Sequence, residues 1–395
     1  MKYIILGAGP AGLCFARSLK DKGENNFLIL EKESEAGGLC RSSEVDGSPF
    51  DIGGGHFLDV RRPEVNKFLF RFMPEEEWDR YERDSRIQVG NNLINSPIEA
   101  NIWQMDIDSQ VEYLKSIAQA GSNTGTNMPS HFTDWIFWKL GERIADDYMI
   151  PYNQKMFGDN LDELGTYWLE KLPDVSFEDT LRSCLEHRAY AKQPGHAEFF
   201  YPKKFGYGEI WKRIAESMSD KIIYNTNIEY IDTDKNEVNK TFKGDVIVST
   251  IPWTSVKKIS GIDSEIENDI ASLKHTSIVT EYHSERLDTP AHWIYYPDPS
   301  LSYHRILVRH NFCPDSNGYW TETNADRFEY NGEISFMNEY AYPLNTIGKQ
   351  EAIGRVLNFM EKKNIYGLGR WGEWQHYNSD LVVERAMNLA SVVLQ

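Results

Sequence analysis

The segment Gly7-Ala8-Gly9-Pro10-Ala11-Gly12 spaces three glycines as a backbone must to wrap a diphosphate. Gly7 permits a tight turn, Gly9 lets phosphate oxygens approach the main chain, and Gly12 lets the following helix pack closely on its strand. Pro10 and Ala11 open that helix, whose unpaired N–H groups and dipole favour an anion. Glu31 ends the next apolar run, about 20 residues on, where a carboxylate accepts bonds from ribose hydroxyls. Together these residues specify a dinucleotide site. Much later, Arg305 lies in a short apolar segment, and Tyr342 and Tyr377 follow in tyrosine-rich stretches. A planar guanidinium grips phosphate through paired N–H groups, and tyrosine hydroxyls can donate beside it. Taken singly, each of these three reads equally well as an ordinary strand or core residue.

The elements that must position these groups follow from hydrophobic periodicity. Residues 2–6 read as a strand, 10–22 as a helix and 27–31 as a second strand, the opening unit of a doubly wound sheet. A glycine-rich loop runs to about residue 56. From 63 to 190 the apolar period, around Asn66–Met73, Gln110–Ala120 and Phe132–Tyr148, predicts a mainly helical insertion. Strands are expected at 221–231 and 244–251, the run Val246-Ile247-Val248 suiting a parallel strand buried on both faces. Short segments at Ile278–Tyr282, Trp293–Tyr296, Arg305–Val308 and Ile334–Phe336 predict an antiparallel sheet, and Asn378 through Leu389 a final helix. The expected fold is α/β. A discontinuous Rossmann-like domain takes 1–62, 191–260 and 364–395, a helical domain 63–190, and an antiparallel-sheet substrate domain 261–363.

Composition narrows the function. A formal charge of −18 disfavours nucleic acid and anionic lipid, so an anionic ligand has to be held by particular arginines. The four cysteines, at 14, 40, 184 and 313, have no paired spacing, which predicts buried thiols and no metal cluster. Apolar runs fall short of a membrane span, and a strand beginning at Tyr3 leaves no room for a leader, so the cytoplasm is expected.

The stretch from Glu31-Lys32 to Gly37-Gly38-Leu39-Cys40-Arg41-Ser42 resembles the second glycine motif of glutathione-reductase-type FAD proteins, in their amine-oxidase-like branch. Phe50-Asp51-Ile52-Gly53-Gly54-Gly55-His56 is similar to the loop that passes the flavin there, and Asp245 to Pro252 to a later strand. The resemblance implies FAD rather than NAD. Lys32, Gly38, Leu39 and Arg41 would lie by the diphosphate, Gly54 and His56 by the flavin, and Ile228 by adenine. The N–H groups of Asp380 and Leu381 would face the pyrimidine edge.

Further segments resemble the UDP-galactopyranose mutase family: Pro151-Tyr152-Asn153-Gln154-Lys155-Met156-Phe157-Gly158, Tyr201 to Trp211, Tyr303-His304-Arg305, Tyr340 to Pro343, and Gly369-Arg370 through Asp380. That resemblance implies that Tyr152, Asn153, Phe157, Tyr207 and Trp211 line a substrate site, that Arg305, Tyr342 and Tyr377 hold a nucleotide diphosphate, and that Arg370 serves the flavin. It also implies the activity. N5 of reduced FAD attacks the anomeric carbon and displaces the diphosphate, and reclosure of the opened sugar interconverts pyranose and furanose, for cell-surface polysaccharide synthesis. NAD(P)H or another reductant would supply electrons, His56 would act beside N5, and a homodimer is compatible with the family.

There are departures. Where the family carries a second diphosphate arginine, the run Trp168 to Pro173 has Lys171, leaving Arg182 and Arg188 as substitutes. Phe157 stands for a tryptophan, and Tyr207 interrupts a glycine run. The sugar and the nucleotide therefore stay open. So do two other readings: an FAD-dependent amine oxidase or desaturase of the same branch, and an FAD-binding assembly partner without catalysis.

Overall fold

The computed structural model describes residues 1–169, 174–190 and 197–394. Its centre is a parallel sheet in the order Ile222–Ile223, Phe27–Leu30, Tyr3–Leu6, Val246–Ser249, Ile365–Gly367. Every residue of Tyr3–Leu6 is buried, with Tyr3 and Ile5 facing one core and Ile4 and Leu6 another. That burial on both faces is why the strand is continuously apolar. The first core also receives the first helix, Pro10–Asp21, and the last, Ser379–Val392, so the two ends of the chain pack together. The second core includes Trp253, Val356 and Met360.

A seven-stranded sheet lies alongside, ordered Ser335–Pro343, His275–His283, Tyr319–Asn324, Arg305–Leu307, Trp293–Tyr295, Ser85–Val89, Asn92–Asn95. It is antiparallel except where Trp293–Tyr295 meets Ser85–Val89. Two of its strands, and a third at Trp78–Glu82, come from the stretch expected to be helical. The correction has a local cause: Ser85-Arg86-Ile87-Gln88-Val89 alternates with period two before the turn at Gly90, and a window spanning longer helical runs hides it. Helices resume at Ile98–Asn101. Ile107–Gln119, Phe132–Ile144, Ile150–Phe157 and Phe177–Glu186 follow, and they share their own core around Phe132, Ile136 and Ile144.

The single strand expected over 221–231 is two. Ile222–Ile223 edges the parallel sheet, whereas Tyr230–Asp232 joins a separate four-stranded sheet. Asn225, at φ 54°, turns the chain between them, a conformation asparagine tolerates. All four cysteines are buried and unpaired. Among the described residues no helix is long and apolar enough to cross a membrane, and no cluster of metal-ligating side chains occurs.

Candidate functional site

The glycine turn has no room for a larger residue at Gly7 or Gly12. A Cβ on Gly12 would lie 2.0 Å from the Gly7 carbonyl oxygen, and one on Gly7, at φ 99°, 2.6 Å from Thr250 Oγ1. A Cβ on Gly38 would lie 3.2 Å from the Cα of Gly9, so the two glycine loops meet backbone to backbone. Between them the N-terminus of Pro10–Asp21 has no side-chain cap, leaving its N–H groups to an outside acceptor. Glu31 is buried, and its carboxylate accepts from the Ala8 N–H at 2.6 Å and the Glu33 N–H at 3.0 Å. Burial raises its pKa. Glu31 thus braces the turn, and its remaining lone pairs are those a ribose would use. Arg41 Nε donates to the Gly38 carbonyl at 3.1 Å while its Nη1 lies near Glu33 and Glu35. Lys32 is a surface residue paired with Glu33, Leu39 is half-buried, and Ile228 is packed into the core beside Leu30.

The Asp51–His56 loop carries the first glycine turn's site toward the seven-stranded sheet. A Cβ on Gly53 would lie 2.0 Å from the Leu39 carbonyl oxygen, on Gly54 2.6 Å from Glu322 Oε1, and on Gly55 2.2 Å from Leu307 Cδ2. At the loop's start Asp51 accepts from Ser42 Oγ at 2.5 Å, Tyr201 Oη at 2.9 Å and the Tyr207 N–H at 3.0 Å. Burial pushes its pKa up to about 6 against those three donors. At the other end His56 Nδ1 lies 3.0 Å from the Gly54 carbonyl. A carbonyl only accepts, so Nδ1 carries the proton and Nε2 is left as an acceptor. Burial, aided by Arg370, holds the His56 pKa down to about 3. The ring stacks at 6.2 Å on Tyr207, whose hydroxyl is 2.6 Å from Ser379 Oγ at the start of the last helix. There Asp380 is buried and bonded by Arg62 Nε at 2.7 Å, with Leu381 half-buried next to it.

Glu322, which nothing in the sequence singled out, links this loop to the anion-directed residues. It is the register partner of Arg305 across two strands. Its carboxylate accepts from the Gly55 N–H at 3.0 Å and from Arg305 Nε at 2.8 Å and Nη2 at 2.6 Å. Burial disfavours the Arg305 charge, but Glu322 together with Tyr342, Tyr152 and Tyr295 outweighs it and keeps the guanidinium protonated. Arg305 Nη2 also donates to Tyr342 Oη at 3.0 Å, and the Arg370 guanidinium lies 5.8 Å from the same ring. Arg370 donates to carbonyls, of Tyr377 at 2.9 and 3.1 Å and of Ala341 at 3.0 Å. Burial lowers its pKa, with Arg305 adding to the effect and Tyr342 opposing it.

Other expected residues divide. Tyr152 packs edge-on against Tyr295 at 5.5 Å, and Arg305 and Tyr342 act on its charge, so it belongs to this cleft. Tyr377 is half-buried with Arg385 5.3 Å over its ring. Phe157 packs on Trp168 at 6.2 Å, and Asn153 donates its amide to the Met149 carbonyl within the helix. Trp211 has no exposed surface and sits 5.7 Å from Tyr207 on the inner face of Gly208–Glu216, its Nε1 without a hydrogen-bond partner among the described residues. Lys171 lies outside the described residues. Arg188 pairs with Glu186 and Tyr190 at the surface, and Arg182 lies over the Tyr190 ring, so neither is bonded to the Arg305 group.

Comparison with known proteins bears on the fold. Residues 5–72 fit the family model described as an NAD(P)-binding Rossmann-like domain. An uncharacterized protein in the nifH2 3'region of Methanothermococcus thermolithotrophicus is 32% identical over 108 residues, 26% of this chain and 98% of the relative, and the chain belongs to one family with it. Wild-type putrescine oxidase bound to putrescine superposes with a TM-score of 0.64 at 12% identity, over 100% of this chain and 98% of the other. The class the fold defines is therefore a Rossmann-like α/β protein with an appended antiparallel sheet. More particularly, its fold is that of reduced UDP-galactopyranose mutase: the TM-score is 0.91 at 22% identity, over 100% of this chain and 93% of that structure.

Proposed function

We propose that this chain is an enzyme that binds FAD and, with the flavin reduced, interconverts the pyranose and furanose forms of a nucleotide-diphosphate sugar. The observation that carries this reading is the charge of the cleft. Arg305 and Arg370 both reach Tyr342, and Glu322 is the one carboxylate bonded to either among the described residues. A cleft with a surplus buried guanidinium attracts a diphosphate and repels an ammonium substrate, which disfavours the amine-oxidase alternative.

The residues fit FAD. Two glycine loops in backbone contact leave the helix N-terminus open to a diphosphate, Glu31 has lone pairs for a ribose, and the Gly53–Gly55 backbone, packed too closely for any Cβ, leads to His56. Reduced FAD would supply a nucleophile, at N5, for the anomeric carbon. The chain does the rest. Arg305 with Tyr342 and Tyr377 would hold the departing diphosphate within return distance, and the neutral His56 would offer Nε2 as an acceptor without adding charge. The start of the last helix would stabilise negative charge nearby. A cytoplasmic role in surface-polysaccharide synthesis accords with this activity. The test is binding and turnover together. Arg305→Ala should keep the yellow colour while losing UDP affinity, and loss of FAD itself would mean that Arg305 belongs to the cofactor site.

A further inference from the structure

One arginine on the flavin-loop side of the sheet takes no part in the group above. Arg83 lies between Trp78–Glu82 and Ser85–Val89. Its Nε donates to Ser85 Oγ at 2.7 Å and its Nη2 to Tyr295 Oη at 2.8 Å. The guanidinium sits 4.8 Å from the Trp293 ring and 5.6 Å from that of Phe57, the residue after His56. Tyr295 is the register partner of Arg305, so both project from the same face.

What distinguishes Arg83 is its missing counter-ion. Nearby Arg61, Arg62, Arg80 and Arg86 each hold a carboxylate, and Asp84, adjacent in the chain, turns to Arg86 with both oxygens at 2.9 Å. Among the described residues Arg83 has no carboxylate within 4 Å, in a chain with 60 acidic residues to 42 basic. It is half-buried, and its Nη1 makes no hydrogen bond to any described residue. Aromatic faces hold a guanidinium in place and strip its water, while its in-plane N–H groups stay directed at a planar or tetrahedral oxyanion.

We propose that Arg83, oriented by Ser85 and Tyr295, is a second oxyanion-binding point of the cleft anchored by Arg305, taking either the second phosphate of the diphosphate or a carboxylate on the sugar. This rests on the nucleotide-sugar reading and deepens it. The experiment titrates FAD-loaded wild type, Arg83→Met, Arg83→Lys and Arg305→Ala with UMP, UDP, UDP-glucose and UDP-glucuronate by calorimetry. Arg83→Met keeps an apolar stem on the rings, and an unchanged flavin spectrum and melting temperature show that it folds.

If Arg83 holds a phosphate, Arg83→Met weakens UDP at least tenfold and UMP little, with partial rescue by Arg83→Lys. If it holds a sugar carboxylate, UDP is unchanged while the wild-type preference for UDP-glucuronate over UDP-glucose collapses. Affinities within twofold of wild type for all four ligands, with Arg305→Ala still losing UDP, would overturn this proposal and leave the nucleotide-sugar reading standing. Failure of wild type to bind any of the four would overturn both.

Discussion

Gly54 offers the sharpest test of how the loop, Glu322 and Arg305 depend on one another. In Gly54→Ala the backbone must keep a φ of 93°, and the new Cβ would stand 2.6 Å from Glu322 Oε1 and 2.9 Å from its Cδ. The backbone strain costs about 1–2 kcal/mol. Glu322 cannot yield without loosening its bonds to Arg305 and to the Gly55 N–H, and charge-assisted bonds of that kind are worth about 1.5–3 kcal/mol each. Loosening one such bond brings the total to about 2.5–5 kcal/mol. Gly47→Ala is the control, since Gly47 has a φ of 68° and nothing within 4 Å, so only the backbone strain applies. Urea unfolding of the FAD-loaded variants, followed by tryptophan fluorescence, should place Gly54→Ala about 1.5–3 kcal/mol below Gly47→Ala. It should also lose UDP affinity, because Arg305 shifts with Glu322. Equal stabilities, or full UDP affinity in Gly54→Ala, would refute the coupling.

Asp51 should make the protein less stable as pH rises. Its folded pKa of about 6 exceeds the ordinary 3.8, so the folded state holds the proton more tightly; the stability this gives is complete below about pH 4 and is lost by about pH 6. The gap corresponds to about 3 kcal/mol, and urea midpoints measured across that range should vary less in Asp51→Asn; an identical slope would remove Asp51 as the cause. His56 should stay neutral, protonated on Nδ1, from about pH 5 to 8, so that its ring nitrogen NMR signals do not move; titration in that window would contradict its buried placement. Tyr207→Phe breaks the 2.6 Å contact with Ser379 and should cost about 1 kcal/mol in stability without loss of FAD, whereas release of the flavin would give Tyr207 a larger part than bracing the last helix.

The dinucleotide element could be read from the sequence because its constraints are local: Gly7, Gly9 and Gly12 act within six residues, and their strand and helix flank them directly. Glu322 could not. Its partnership with Arg305 arises from strand register, and Tyr-Trp-Thr-Glu-Thr-Asn reads as polar although five of its six residues are buried. The two threonines flanking Glu322 were the available signal for a strand. Asp51 was visible in the loop motif, but its three donors come from segments 9, 150 and 156 residues away. Motif likeness does not show packing: Trp211 is packed within the core, and Lys155 in the Tyr152 segment binds the Tyr296 and Asp298 carbonyls at 2.8 and 2.6 Å, strapping a loop to the helix.

The central claim is that this cleft serves a reduced flavin acting on a nucleotide sugar without net oxidation. The direct measurement is anion-exchange chromatography of a panel of UDP-hexopyranoses incubated with the FAD-loaded protein, with and without dithionite, alongside an oxygen electrode. The account predicts a new peak of unchanged mass for at least one sugar, formed only with dithionite, abolished in Arg305→Ala, and no oxygen uptake driven by amines. No isomer from any sugar, with steady oxygen consumption on putrescine or another amine, would contradict it.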